Sequence, residues 1–549
     1  MKNKIFKYFL VSTTAILLCS CSKKIDDVYQ NPNAPTRVPV EALLPHIIAS
    51  MAANAEGHGT MNDIRYVGAY VQNFQYAASL SVFDEMGYNN SDVAQSTWRM
   101  HYYDIGQNNV MMIRWAEEEK KWDYAGVGQA IFAWSWLTLV DYYGEVIVKE
   151  AFNTDQITFK YDTEETAYNL VRDLCFQSLE NLNKTGDNVS QANLAKGDQY
   201  FYNGDAGKWK KFVYSVLARY YNHQSNKATY KADSVIYYAN LAITNNADNA
   251  MVKFAATAIS GTNSFFGTFR GNLAGASTAS PTAIRQGAYI ANLENGTNTA
   301  FSGEQDPRAW YLLRGNTAGT IKGILPNKGQ IASLPIATDR PESFYGVSQN
   351  STSVVNTIPS TDAACRFIFR NDAPFPIITA SEVLFMKSEA AFRKGDKTLA
   401  LQAYTQAIDQ SFDMLSTTFN VNIPVGKEIT AANKMAYMSS IVPGSVAGLN
   451  LTKIMLQKYI HMFAHGVLET WLDMRRYHYT DLDPLTGQQV YKDLVVPSGS
   501  DLFIDNAGKL VYRMRPRFNS EYVWNILELQ RIGATTNDYH TKPLWVVTP

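Results

Sequence analysis

The sequence predicts a mainly α protein in which helical hairpins support a large irregular segment. Three observations lead to that class. Between Ser381 and Phe412 apolar residues recur at helical spacing in two runs, Val383-Leu384-Ala390-Ala391 and Leu399-Ala403-Ile408. Comparable periodicity recurs at several other places along the chain. From about 255 to 375 it fades, while Gly, Ser, Thr, Asn and Pro become frequent.

The stretch 381–412 sets the pattern. Lys394-Gly395-Asp396 separates its two runs, and Gly395 can take the left-handed conformation that ends a helix. Asp396 can then cap the amides opening the next one. Ser388, Ala400 and Ala407 are small enough for two helices to cross closely, with Phe392 and Tyr404 filling the gaps. The spacing Ala400, Tyr404, Ala407 resembles the second helix of a tetratricopeptide-type hairpin. A lone hairpin cannot bury its own apolar faces, so neighbours of the same kind are required.

Taken in order, the chain opens with Lys2, Lys4 and Lys7, an apolar run from Phe9 to Leu18, and Cys19-Ser20-Cys21. This looks like a bacterial lipoprotein signal over 1–20, too short to span a bilayer, with Cys21 as the acylated residue. Cys19 fits less well, because Leu18 would precede the cut. A polar tether follows over 21–38, where Pro32 and Pro35 oppose helix. No later stretch reads as a membrane span, so the acyl chains are the expected anchor. The remaining Cys175 and Cys365 are paired or free; their spacing does not decide.

Residues 39–549 read as one binding domain with its irregular insert at about 255–375. Helices are expected at Val40–Met51 and, after the break at Gly57–Gly59, at Ile64–Tyr76. A loop covers Ala77–Ser96. Thr97–Trp122 and Tyr124–Tyr142 are helical; the second is apolar on nearly all sides, hence central, and Gly144 stops it. Glu164–Leu182, Lys208–Asn222 and Lys231–Thr244 follow. Beyond the insert and the 381–412 hairpin, Leu451–Tyr477 reads as one long helix, and the C-terminal stretch as irregular.

Composition narrows the function classes. The 549 residues carry a formal net charge of −1, which argues against nucleic acid as a partner. Charged residues make up 18%, whereas Tyr (33), Phe (26) and Trp (10) are abundant, a balance suited to apolar and hydrogen-bonding ligands such as sugars.

Enzyme chemistry finds little support. His461, His465 and Glu469 could share one helix face as a metal site, but Met462 stands where a zincin has its Glu. The pair Asp84-Glu85 is better read as a solvated loop than as the two carboxylates of a glycosidase. Phosphate loops, dinucleotide fingerprints and nucleophile elbows are missing from the sequence. No catalytic residue, metal or cofactor is therefore expected. Asp473, Arg475 and Arg476 beside Trp471 are expected to fix their helix by ion pairs.

Several motifs stand in one order along the chain: Cys21, Asn31-Pro32-Asn33, Asp141-Tyr142-Tyr143-Gly144-Glu145, Tyr202-Asn203-Gly204-Asp205 with Lys208–Phe212, and Asp306-Pro307-Arg308. After the 381–412 hairpin come Leu456–Tyr459, Glu469-Thr470-Trp471 with Asp473–Arg476, and Arg517–Glu521 with Asn525. Together they resemble the SusD/RagB-type outer-membrane nutrient-binding lipoproteins, of the SusD-like branch. The resemblance implies tetratricopeptide-like helix pairs carrying an irregular ligand-binding half. It also implies a lipid-anchored protein facing the cell exterior, which binds an oligomeric nutrient and delivers it to a SusC-like, TonB-dependent transporter in the outer membrane. A glycan is the first expectation and a peptide the alternative; a surface glycoside hydrolase is the weaker reading. One departure concerns export: Asp26-Asp27 falls later than the acidic cluster expected after the acylated cysteine.

Family ligand contacts come from the loop after the first helices and from the irregular segment, though no motif here carries them over residue by residue. Loop aromatics have no duty between helices and can be held ready for stacking. On that ground Tyr76, Phe83, Tyr88 and Trp98 are expected to converge with Tyr289, Trp310 and Tyr345 on one shallow site, with Trp98 or Trp310 as its platform and nearby Asn89 or Asn90 bonding hydroxyls or peptide groups.

Overall fold

The structure, a computed structural model, describes residues 37–549 apart from 79–80, 275–282, 351 and 353–356. The signal segment, Cys21, Asp26-Asp27 and the tether up to residue 36 lie outside the described residues.

The longer helices are α1 (Val40–Ala52), α2 (Thr60–Val67), α3 (Asn108–Glu118), α4 (Trp122–Tyr143), α5 (Glu164–Asn183), α6 (Ala206–His223) and α7 (Ala232–Leu241). They continue as α8 (Ala380–Lys394), α9 (Lys397–Thr418), α10 (Ala431–Ile441), α11 (Leu451–His461) and α12 (Val467–Arg476). Short strands β1 (Phe74–Tyr76), β2 (Ala250–Val252), β3 (Ile284–Gln286) and β4 (Phe375–Ile378) form two antiparallel pairs, β1 with β3 and β2 with β4. Successive hairpins α4–α5, α6–α7 and α8–α9 stack side by side, and α11 packs on α8 and α9. Between 255 and 375 the described residues form only short helical turns and these strands.

Local chemistry accounts for the hairpin at 381–412. Gly395 sits at φ 92° and its N–H reaches the carbonyls of Ala391 and Phe392, closing α8. The Asp396 carboxylate accepts from the Leu399 N–H at 3.0 Å and opens α9. At the crossing, Ser388 Oγ donates to the Ala400 carbonyl (2.8 Å) and Ser381 Oγ to that of Ala407 (2.7 Å). Tyr404 is fully buried beside them. Helix α4 is buried on nearly every side and stops at Gly144, as its composition predicts.

Four expectations are corrected. The stretch Ile64–Tyr76 is not one helix: α2 ends at Val67, the chain turns through Gln72 at φ 56°, and Phe74–Tyr76 becomes β1 by pairing with β3, far away in sequence. Leu451–Tyr477 is broken between α11 and α12, where Ala464 takes φ 65° and gives its N–H to Asn73 Oδ1 (2.9 Å). In both places a distant partner outcompetes the local helical hydrogen bond. The segment 97–122 is interrupted by a π-helical stretch, Met100–Gln107, and by Lys120 at φ 55° before α4. The C-terminal stretch contains a helix, Ile526–Ile532.

The scaffold is joined by buried ions. Arg219 forks onto Glu382 (2.5 and 2.8 Å), and Arg476 bridges Glu389 (2.8 and 2.9 Å) and Asp473 (2.6 Å). Lys458 meets Asp473 at 2.7 Å, and Arg308 meets Asp306 at 2.6 Å with both side chains inaccessible. Such charges are tolerated because each is paired with an opposite charge, and the three arginines are hydrogen-bonded as well. Arg475 departs from the expected ion pair: its guanidinium lies 3.8 Å over the Trp471 ring and donates to the carbonyls of Asp141 and Tyr512. The motif residues Asp306, Arg308, Asp473 and Arg476 thus act as buried joints of the helical framework. Cys175 and Cys365 are both buried and free. Among the described residues, no helix is long and apolar enough to cross a membrane.

Candidate ligand cleft

The aromatic residues expected to line a shallow site are largely packed. Tyr76, Phe83, Tyr88, Trp98, Tyr289 and Tyr345 are all buried. Phe83 lies against Tyr66 (5.0 Å between ring centroids), and Tyr88 sits between Phe503 and His540 with its hydroxyl donating to Asp505 (2.8 Å). Trp98 packs on Tyr102 and Tyr143, Tyr289 on Tyr459, and the Tyr345 hydroxyl accepts from the Leu273 N–H (3.2 Å). Trp310 is half-buried under the Lys427 ammonium (4.6 Å), and Asn89 is exposed with its side chain accepting from Ser91 Oγ. Phe83 lies on Tyr66, and Tyr76 and Tyr345 feel the charge of Arg65 beside it, but of the eight residues only Trp98 lines either cleft described below. The physical reason is that the irregular segment carries a core of its own. Phe344 stacks on Phe369 (4.2 Å), Phe266 lies near Phe369 and Phe375, and Phe344 reaches Phe74 of β1. Without helix faces to fill, loop rings here fill the loops.

The irregular segment does line a cleft, but it faces the turn after α1 and helix α2; among the described residues, the expected loop 77–96 is absent from the lining. A cleft of about 370 Å³ lies where the turn after α1 and the body of α2 face the segment 258–272. The turn is wound by Asn54, whose Oδ1 accepts from the N–H groups of Glu56 (3.1 Å) and His58 (3.0 Å). Gly57 closes it at φ 83°, and a Cβ there would stand 3.0 Å from the Phe265 ring. Arg270 ties the opposite wall to this turn by donating to the Asn54 carbonyl (2.8 Å).

The polar groups of the cleft are incompletely matched. Asn263 is 1% exposed; its Nδ2 donates to the carbonyls of Thr257 and Ile259, while its Oδ1 has no partner. Asn62 gives its Nδ2 to the Gly57 carbonyl and Ser96 Oγ, and its Oδ1 is likewise unpartnered. Arg65 donates through Nη1 to the Asn272 carbonyl (3.2 Å) and leaves Nε unmatched. The Arg65 and Arg270 guanidiniums lie over the Phe265 ring at 5.3 and 4.9 Å. Burial holds the Arg270 pKa below its ordinary value; Glu56 opposes that shift and the charge of Arg65 adds to it. Phe269, 45% exposed, stands at the mouth. The arrangement offers a flat ring, two carbonyl-type acceptors and two guanidiniums, with Glu56 as the one carboxylate in the lining. That is the equipment of a binding site.

A second cleft, of about 520 Å³, is walled by Trp98, Tyr102, Tyr103, Phe152 and Phe159, with Arg517 and Glu521 at one side. Trp98 contributes to its base while being only 4% exposed, and Tyr103, 68% exposed, is its open ring. Sequence reasoning reached Trp98 but missed Arg65, Asn62, Asn263, Phe269 and Arg270. Phe269 is visible as an aromatic in an irregular stretch; nothing local distinguishes the two arginines.

Of the residues weighed for catalysis, His461 and Glu469 are employed structurally. His461 is bonded to Thr379 Oγ1 (2.7 Å) and Ser411 Oγ (3.0 Å) through its two ring nitrogens. Glu469, beyond the break that ends α11, faces His223 of α6 (2.9 Å). Asp84, expected in a solvated loop, is buried, and burial raises its pKa well above the usual carboxylate range.

Comparison with known proteins places the chain. A family model described as starch-binding and associating with the outer membrane matches residues 32–499. No curated protein sequence matches. Similar solved structures include a SusD/RagB family protein from Bacteroides thetaiotaomicron, 20% identical over 93% of this chain and 99% of its own, with a TM-score of 0.64. A SusD homologue from Bacteroides fragilis is 16% identical over 93% and 100%, with a TM-score of 0.65. A chitin-binding protein is 18% identical over 93% and 100%, with a TM-score of 0.63. At such identities the structural likeness speaks for the fold, and the family match, spanning most of the sequence, speaks for descent. By both, the chain belongs to the SusD-like family.

Proposed function

We propose that this protein is a surface-exposed lipoprotein, anchored in the outer membrane through acylated Cys21, that binds an oligomeric glycan and delivers it to a SusC-like, TonB-dependent transporter. The observation that carries the binding step is the cleft between α2 and Phe269. There an exposed ring for the C–H face of a sugar stands beside the unpartnered Oδ1 atoms of Asn62 and Asn263, which suit its hydroxyls. The cleft joins the turn between α1 and α2, and α2 itself, to the irregular segment. The family's description as starch-binding and the chitin-binding neighbour favour a glycan as well. Capture without turnover fits the lining, since glycoside hydrolysis needs two carboxylates at a set separation and only Glu56 is present there. Delivery to a barrel follows from the anchor: acyl chains hold a protein at a membrane but form no path through it.

A peptide ligand is the second reading, because the same amide oxygens accept equally well from peptide N–H groups. Calorimetry of the mature protein against starch-, chitin- and other plant- or host-type oligosaccharides and against mixed peptides, with product analysis for cleavage, tests the reading. Saturable glycan binding without cleavage, lost in Phe269→Ala, is expected. Binding of peptides alone, or glycan cleavage, would overturn it.

A further inference from the structure

We propose that this cleft selects glycans carrying an anionic group, a carboxylate or sulfate on a pyranose ring, over neutral ones. The inference rests on the reading of the cleft as a glycan site and adds the chemical class of the sugar.

The charge of the lining is the first observation. Arg65 and Arg270 share one ring, Phe265, and one cleft, and Glu56 is the only acid facing them there. The hydrogen bonds that the two guanidiniums make go to main-chain carbonyls, those of Asn272, Asn54 and Ala55. No ion pair within 4 Å engages either among the described residues. Asp63, two positions before Arg65, feels its charge but forms no ion pair with it: its two oxygens accept from the Ser96 N–H (2.9 Å) and the Thr97 N–H (2.7 Å). Two like charges held together in a half-buried wall repel each other, and an oxyanion between them relieves that repulsion.

Geometry supplies the second. With Nη1 given to Asn272, the Nε–Nη2 edge of Arg65 carries no hydrogen bond, its Nε being buried. This is the same edge that Arg219 presents to Glu382 in the core, with bonds of 2.5 and 2.8 Å. Carboxylates and sulfates match such a fork with two acceptor oxygens.

The third observation separates a charged sugar from a bare anion. Asn62 Oδ1 and Asn263 Oδ1 are acceptors, and they repel an inorganic anion while welcoming hydroxyl donors. A ligand that satisfies both sets carries hydroxyls and an oxyanion on one ring, and the exposed face of Phe269 receives that ring.

The test is calorimetric titration of the mature protein with trigalacturonate and its methyl ester, with a sulfated carrabiose and its desulfated form, with maltotriose, and with an acidic hexapeptide. At least one anionic sugar is expected to bind about tenfold more tightly than its neutral counterpart, and which pair shows the margin identifies carboxylate or sulfate. Arg65→Gln should reduce that margin to about twofold or less with the melting temperature kept. Because a substitution in this wall can disturb folding, the wild-type margin is also followed against salt, and it should shrink toward near-molar salt. If neutral sugars bind equally well, lose affinity in Phe269→Ala and ignore Arg65→Gln and salt, the anionic preference is wrong and the glycan reading survives. If no sugar binds, or only the acidic peptide does, both fail.

Discussion

His223 on α6 lies 2.9 Å from a carboxylate oxygen of Glu469 on α12, although 246 residues separate them along the chain. Its other ring nitrogen lies 3.0 Å from Asp141 at the end of α4. The imidazole thus joins three elements of the scaffold. Burial pulls its pKa down, but Glu469 and then Asp141 outweigh burial and hold it at about 9. The folded value therefore lies above the ordinary one near 6.5. The stabilisation is fully present below pH ~6.5 and is lost as pH rises through about 9. Denaturant unfolding of the wild type between those limits should show a loss of roughly 2–3 kcal/mol beyond that of His223→Gln. Parallel curves for the two proteins would remove His223 as the source.

Arg308 is a joint of a different kind. Inside the core it meets Asp306 (2.6 Å), Ser411 Oγ (3.0 Å) and Gln457 Oε1 (2.5 Å), and it lies over the Phe412 ring at 4.8 Å. Arg308→Met leaves the Asp306 carboxylate buried without its cation and should destabilise by roughly 3–5 kcal/mol. Replacing Asp306 by Asn in the same chain should recover part of that loss. No recovery in the double variant's melting temperature would show that packing, and not the stranded charge, sets the cost.

Trp98 and Phe269 should separate stability from binding. Trp98 is buried against Tyr102, Tyr143 and Tyr161, so Trp98→Ala should cost roughly 3–5 kcal/mol of stability. Phe269 is 45% exposed at the cleft mouth, and Phe269→Ala should keep the melting temperature while weakening ligand binding about tenfold or more. A thermally unaltered Trp98→Ala, or a Phe269→Ala that unfolds, would contradict this division.

Cys21→Ala tests the anchor. The variant should leave the membrane fraction and appear as folded soluble protein, because only the acyl chains are expected to hold it. Persistence in membranes of a strain lacking the partner barrel would point to another attachment.

What the sequence by itself determined is the part of the fold held by neighbours in the chain. Gly395 and Asp396 carry the stop of α8 and the start of α9 in their own backbone freedom and side-chain reach, and the apolar girth of α4 announces a central helix. Helix spacing, caps and turns are local interactions, legible wherever the partner is a few residues away. The ordered motifs that pointed to the family include Asp306, Arg308, Asp473 and Arg476, which the fold buries as joints of its framework. Only the tertiary structure decided where distant segments overrule local preference. Strand β3 pulls Phe74–Tyr76 out of a helix, and Asn73 interrupts the chain at Ala464. It also decided which aromatics face solvent. Tyr88 and Tyr345 stand in irregular sequence yet are buried, because the loops pack on one another, whereas Phe269 stays open. The cleft brings Asn62 and Arg65 against Asn263 and Arg270, some two hundred positions apart. Ligand recognition depends on such convergence in space, and one-dimensional spacing does not encode it.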